Sequence, residues 1–324
     1  MLAVSYSTIS ERAISDYIAD NYSIKPVEVT YLIRGINDTY IVRDEHSKYV
    51  FRVYRSDWRT HEEEVAFELE LLIYLKKQGL SVSYPIAKND GNYLNTLHVP
   101  EGKRFGVLFS YADGEEKPID NENISSLFGK AVAEFHMKTA QFTSNKQRSE
   151  LNLEFLIDKP LKIIQQAMLH RKEDFAFLEK VAIKLKNIIQ DLKLRGLDWG
   201  ICHGDLHGNQ NVSFRKDLSY THYDFDICGY GWRAYDIAEF RLARQYHTNG
   251  DKELLERLWE AFLKGYTSVR ELGKNDLEAI PVFVWIRELW LMGLCFQLCH
   301  IDGVIDTGDD FIDDKIELFR KVKL

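Results

Sequence analysis

The dominant hydrophobic period of the chain passes from strand-like to helical after Tyr111, where the composition changes, and that limits what it can fold into. Upstream, strand-like runs at 27–33, 39–43 and 48–54 are separated by Gly35-Ile36-Asn37-Asp38 and Asp44-Glu45-His46-Ser47, which read as hairpin turns between antiparallel strands. A helical pattern over 61–78, with Val65, Phe67, Leu69, Leu71, Leu72 and Leu75 as its apolar positions, stops at Gly79. Two further strands, 92–98 and 104–111, flank the turn Pro100-Glu101-Gly102-Lys103. With a short helix over 10–22 capped by Ser10, residues 25–111 read β-β-β-α-β-β. After a polar connection at 112–120, helical patterns run to the end. Only 201–230 interrupts them, with short strands and polar turns. The expectation is an α+β chain of two domains, 1–111 and 112–324, with no internal repeat.

Composition narrows the functions. Fifty acidic against 42 basic residues give a net charge of −8, with no long Lys/Arg block, which argues against a nucleic-acid partner. The four cysteines form no CxxC pair and are too few for a disulfide framework, so they read as thiols of a cytoplasmic protein. No secretory signal is visible at the start. The most apolar stretch, 282–301, carries Arg287 and Glu288, a costly pair at bilayer depth, so it reads as a core helix with no membrane role.

The densest polar cluster is His203-Gly204-Asp205-Leu206-His207-Gly208-Asn209-Gln210-Asn211. Tyr223-Asp224-Phe225-Asp226 and Cys228-Gly229-Tyr230-Gly231-Trp232-Arg233-Ala234-Tyr235-Asp236 follow it. Phosphoryl transfer asks for one carboxylate near the incoming hydroxyl and for hard oxygen ligands to a magnesium ion on the nucleotide phosphates. Asp205 suits the first task, and Asn211 with Asp224 the second. Zinc on His203 and His207 is disfavoured, because their i, i+4 spacing works on a helix and Gly204 and Gly208 oppose one.

These motifs resemble the aminoglycoside phosphotransferase and choline kinase family, especially its bacterial homoserine kinase-like branch, over nearly the whole chain. The resemblance implies a protein-kinase-like two-lobed fold: a small antiparallel β lobe with one helix, and a larger, mostly helical lobe. It implies an ATP- and magnesium-dependent enzyme that phosphorylates a hydroxyl of a small molecule. Asp205 would be the catalytic carboxylate, Asn211 and Asp224 the metal ligands, and Asp236 a buttress of the catalytic loop. His203 reads as a structural histidine of that loop. The family places its metal-binding Asn where Gln210 stands here; a one-residue insertion makes Asn211 the ligand, and Gln210 is the alternative.

In the small lobe the resemblance assigns Gly35 to Thr39, with Gly35 and Asn37 as its site residues, to the turn that covers the nucleotide phosphates. It places Arg52 where the family has Lys, paired with Glu68, or with Glu64 as the competing choice. Ser110, Tyr111 and Ala112 fall in the segment joining the lobes, where peptide groups would meet the purine edge; no side chain there encodes adenine over guanine. The irregular spacing at Gln210 and the Arg52 replacement leave a second reading, a catalytically inactive nucleotide-binding protein.

Residues 302–317 hold seven acidic side chains against Lys315 alone. A solvated acidic surface is the plainer reading. The other is recruitment of a cationic acceptor such as an amino sugar or amino alcohol, with Asp309 and Asp310 as its ligands. Cys295 and Cys299 read as small apolar core residues. Acceptor identity and oligomeric state are not encoded in any pattern of this sequence.

Overall fold

The computed structural model describes residues 2–322. By packing, the chain falls into two compact units. The first comprises the chain up to Glu116 together with 142–148 and 212–226; the second comprises 117–141, 149–211 and the chain from Ile227 onward.

In the first unit, α1 (Glu11–Asn21) starts at Ser10, whose hydroxyl accepts the Ala13 N–H at 3.3 Å. Five antiparallel strands follow: β1 (Glu28–Arg34), β2 (Asp38–Arg43), β3 (Lys48–Val53), β4 (Asn95–Val99) and β5 (Gly102–Ser110). They pair in the order β1-β2-β3-β5-β4. α2 (Glu62–Lys77) separates β3 from β4 and ends at Gly79, which takes φ 76°, a conformation open to glycine. Alternation along β2 sends Tyr40 and Val42 into a core with Phe51 and Leu108, which Ile14 and Ile18 of α1 complete. Burying such side chains contributes about 1.5–3 kcal/mol each.

The hairpin of strands Val212–Phe214 and Tyr220–His222 belongs to this unit although it lies a hundred residues downstream. Its backbone explains why. Ser83 N–H donates to the His222 carbonyl at 2.8 Å, His222 N–H to the Ser81 carbonyl at 3.0 Å, and Glu115 and Phe214 exchange two bonds of 2.9 Å. A boundary at 111/112 taken from the change of period places this hairpin with the helices; its strand edges are instead satisfied by the first unit.

The second unit is helical: α3 (Glu122–Lys138), α4 (Lys159–Ala167), α5 (Lys172–Leu194), α6 (Arg233–His247), α7 (Lys252–Thr267), α8 (Lys274–Asp302) and α9 (Asp309–Arg320). Phe128, Phe240 and Phe262 bring α3, α6 and α7 together, the last two stacked at 4.2 Å. A short antiparallel pair, Trp199–Cys202 with Gly229–Trp232, precedes α6 in space and in chain order. α8 is long and apolar enough to cross a membrane, but 67% of its most apolar window is buried inside the protein. Arg287 and Glu288 lie on its buried side. Cys295 and Cys299, expected in the core, are only half-buried.

Candidate active site

In the second unit, the strand Trp199–Cys202 delivers the chain into the loop 203–211. Gly204 and Gly208 take φ 82° and 83°, so the loop is not helical. A side chain would also clash, since a Cβ on Gly204 would stand 2.8 Å from the Ile227 carbonyl oxygen and one on Gly208 2.6 Å from Ile119. The loop is held from α6. Asp236 lies in that helix's first turn, not at its N-cap, which is Trp232. Its carboxylate accepts the N–H groups of His203 at 2.8 Å and Gly204 at 2.9 Å. Glu239, three residues on and on the same helix face, accepts the Leu206 N–H.

Asp205 emerges from this support with its side chain 23% exposed. Arg287 of α8 donates to its Oδ1 at 2.5 Å, and His207 Nε2 lies 3.7 Å from Oδ2. Arg287 also donates to the Gly204 carbonyl (3.1 Å) and the Tyr235 hydroxyl (2.9 Å), and pairs with Glu239 at 3.2 Å. Burial raises the Glu239 carboxyl well above its usual range, and Arg287 opposes that rise. Asn211 is buried; its amide N–H donates to the Asp205 carbonyl, and its oxygen accepts the Gly208 N–H at 3.1 Å. Gln210 is exposed, and Asn209 binds Arg244 and His247.

His136 completes the support from α3. Its Nε2 is 3.0 Å from Asp236 and its Nδ1 2.9 Å from the Tyr266 hydroxyl. Burial lowers its pKa below 6.5 despite Asp236, so the ring is neutral, donating to the carboxylate and accepting from Tyr266. Above pH 6.5 the folded and unfolded chains are both neutral here. As pH falls below 6.5, the unfolded chain takes a proton that the buried ring does not, and stability is lost. Melting temperatures at pH 7.5 and 5.5 are expected to differ less in His136→Gln than in the wild type.

In the first unit, Arg52 of β3 donates to Glu68 of α2 at 2.9 Å and to Asp224 Oδ1 at 2.8 Å. Tyr54 also donates to Glu68, at 2.9 Å. Burial raises the Glu68 carboxyl pKa while Arg52 opposes it. Glu64 instead lies 3.7 Å from Arg59. Asp224 follows the hairpin at φ 64°, a left-handed conformation that costs roughly 1–3 kcal/mol and that Asp tolerates better than most residues. Its side chain is 44% exposed.

Gly35 is exposed, outside the left-handed region and with open space where a Cβ would sit. Asn37 is buried. Ser110 donates its N–H to the Tyr84 carbonyl at 2.8 Å, and its carbonyl accepts the Ser83 hydroxyl at 2.6 Å. Tyr111 and Ala112 are half-buried beyond the end of β5.

Asp309 and Asp310 lie elsewhere, in the first turn of α9. Asp309 pairs with His170 at 2.9 Å and Arg171 at 3.3 Å, contacts that hold its pKa below the usual carboxylate range. Asp310 is exposed.

Among the described residues no group of three or more His, Cys, Asp or Glu side chains is placed to hold a metal ion by itself. Asp224 and Asn211 offer oxygen donors only. Oxygen donors of this kind suit a hard ion that keeps waters in its shell.

The profile of the phosphotransferase enzyme family matches residues 32–272. The chain belongs to that family. An uncharacterized protein of Deinococcus radiodurans is 34% identical over 95% of this chain and 88% of its own length. A homoserine kinase of Sinorhizobium fredii is 27% identical over 69% of this chain and 65% of its own. Among solved structures, the amicoumacin kinase hAmiN in complex with AMP-PNP, Ca2+ and Ami has a TM-score of 0.75, covering 97% of this chain and 92% of that one at 24% identity. The fold is kinase-like, and the chain is a phosphotransferase of the small-molecule kinase kind.

Arg287, Glu239 and His136 carry no motif signal as site residues. The i, i+3 spacing of Asp236 and Glu239 is the one cue in the sequence to the second carboxylate of the loop support.

Proposed function

We propose that the protein transfers the γ-phosphoryl group of ATP to a hydroxyl of a small molecule that also bears an amine: an amino sugar, an amino alcohol or a hydroxy amino acid. One observation carries the reading. The loop 203–211 is held through its backbone by Asp236 and Glu239, which leaves the Asp205 carboxylate at the surface of its unit with a buried amide, Asn211, bonded to the same residue.

Arg287 occupies Asp205 Oδ1, which leaves Oδ2 to take the proton of the acceptor hydroxyl. As the acceptor's hydroxyl oxygen bonds to the γ-phosphorus, the bond from phosphorus to the β–γ bridging oxygen breaks and ADP departs. Asn211 and Asp224 would hold the magnesium ion, whose charge offsets that of the phosphates. Asn211 is preferred to Gln210 because it is built into the Asp205 loop whereas Gln210 points outward. Arg52, oriented by Glu68, meets the phosphates. With the Ser110 N–H committed to Tyr84, the peptide groups of Tyr111 and Ala112 serve the base. The likeness to a homoserine kinase supports a hydroxy amino acid within the acceptor class. The pairing of Asp309 with His170 and Arg171 argues against a role for it in acceptor binding.

An ATP-consumption assay over amino alcohols, amino sugars and hydroxy amino acids tests this. ADP release is expected to depend on one acceptor class and on magnesium. Release with none of them, or release unaffected by chelation of divalent ions, refutes it.

A further inference from the structure

Asp226 ends the Tyr223-Asp224-Phe225-Asp226 run, two residues after the proposed metal ligand Asp224. It is 3% exposed. Its Oδ2 accepts Asn37 Nδ2 at 2.9 Å and Trp58 Nε1 at 2.7 Å, and its Oδ1 accepts Arg59 Nε at 2.9 Å. Its main-chain carbonyl accepts from Arg59 and Arg148. Three donors on two oxygens, one of them the charged guanidinium of Arg59, leave this carboxylate poorly disposed to bind an ion as well.

Asn37 is the unusual partner. It sits in the turn between β1 and β2, where the Gly35 N–H donates to the Asn37 carbonyl at 3.1 Å. Its side-chain oxygen accepts the Arg55 N–H at 3.1 Å while its N–H group reaches Asp226. A hairpin tip with an exposed glycine has little rigidity of its own. The amide of Asn37 ties this tip to the segment carrying Asp224, across 189 residues of sequence.

We propose that Asp226 is a positioning residue and not a second metal ligand: through Asn37 it fixes the phosphate-covering turn relative to Asp224. The inference rests on the phosphotransferase reading. A turn ordered in advance spares the nucleotide the cost of ordering it, so the anchor acts on nucleotide affinity.

Asn37→Asp keeps the acceptor for Arg55 and turns a carboxylate toward Asp226. Binding of a non-hydrolysable ATP analogue, measured by calorimetry with and without magnesium, is expected to weaken roughly 10- to 100-fold in both conditions. The KM for ATP is expected to rise by the same factor, with kcat lowered less than threefold. Asn37→Asp combined with Asp226→Asn and Trp58→Phe exchanges the amide and the carboxylate and removes the indole N–H that would face the new amide. It is expected to recover affinity, which a merely structural lesion would not. Asn37→Ser, too short to reach Asp226, replaces the first variant should that not fold. Folded variants that bind the analogue as the wild type does overturn this inference. A change confined to the magnesium dependence also overturns it and returns Asp226 to the ion. Wild-type protein that binds no nucleotide defeats the underlying reading instead.

Discussion

Asp205→Ala is expected to lower turnover by roughly 10²- to 10⁴-fold, the range for loss of a positioned proton acceptor. The effect should fall on chemistry and spare the fold. The bonds that shape the loop run from the N–H groups of His203, Gly204 and Leu206 to Asp236 and Glu239, and Asn211 bonds the Asp205 main-chain carbonyl, so truncating the side chain leaves all of them intact. Arg287 loses one acceptor but keeps Glu239, the Tyr235 hydroxyl and the Gly204 carbonyl. Affinity for a non-hydrolysable ATP analogue should therefore stay within about threefold, since a residue acting only in the transition state leaves ground-state binding alone. Initial rates of ADP formation at saturating acceptor, beside calorimetry, check both halves. A fully active Asp205→Ala protein refutes the mechanism.

Arg287→Ala is expected to destabilise the protein by about 3–5 kcal/mol, the cost of removing one partner from a buried ion pair. Glu239 is 1% exposed and already has its pKa raised by burial, with Arg287 as the main opposing charge. Without the guanidinium its ionised form keeps only the Leu206 N–H. Arg287 also lies against the Trp290 ring at 4.5 Å, so packing is lost as well. Urea denaturation gives the change in free energy. Arg287→Met with Glu239→Gln removes both charges, keeps an acceptor for the Leu206 N–H, and is expected to recover a substantial part of the loss. A cost below about 1 kcal/mol for Arg287→Ala would mean that water reaches this pair, in conflict with its burial.

How much of this was legible differs between fold and site. The strand runs with their hairpin turns, α1 with its Ser10 cap and the stop at Gly79 follow from periodicity and turn chemistry within short windows, whereas the pairing of β3 with β5 does not. The allegiance of the hairpin 212–222 does not, because what decides it is which distant backbone, here that of Ser81, Ser83 and Glu115, satisfies its edges. The motifs pointed to Asp205, Asn211, Asp224 and Asp236 as candidates. They were silent on Arg287, which reads in sequence only as a charge inside an apolar run. Nor did they show that Asp226, one residue past Phe225, has its carboxylate filled by Asn37, Trp58 and Arg59.

The sequence by itself determined the elements, the chemistry-bearing residue types and the family, because backbone preference, apolar period and motif spacing are local properties of the chain. Apart from Glu68 for Arg52, which the resemblance named, tertiary structure alone decided the partners. Arg287 meets Asp205 across 82 residues, His136 meets Asp236 across 100, and Asp309 is claimed by a histidine 139 residues away. A buried charge is settled by whichever opposite charge packing brings within bonding distance, and no local pattern carries that choice.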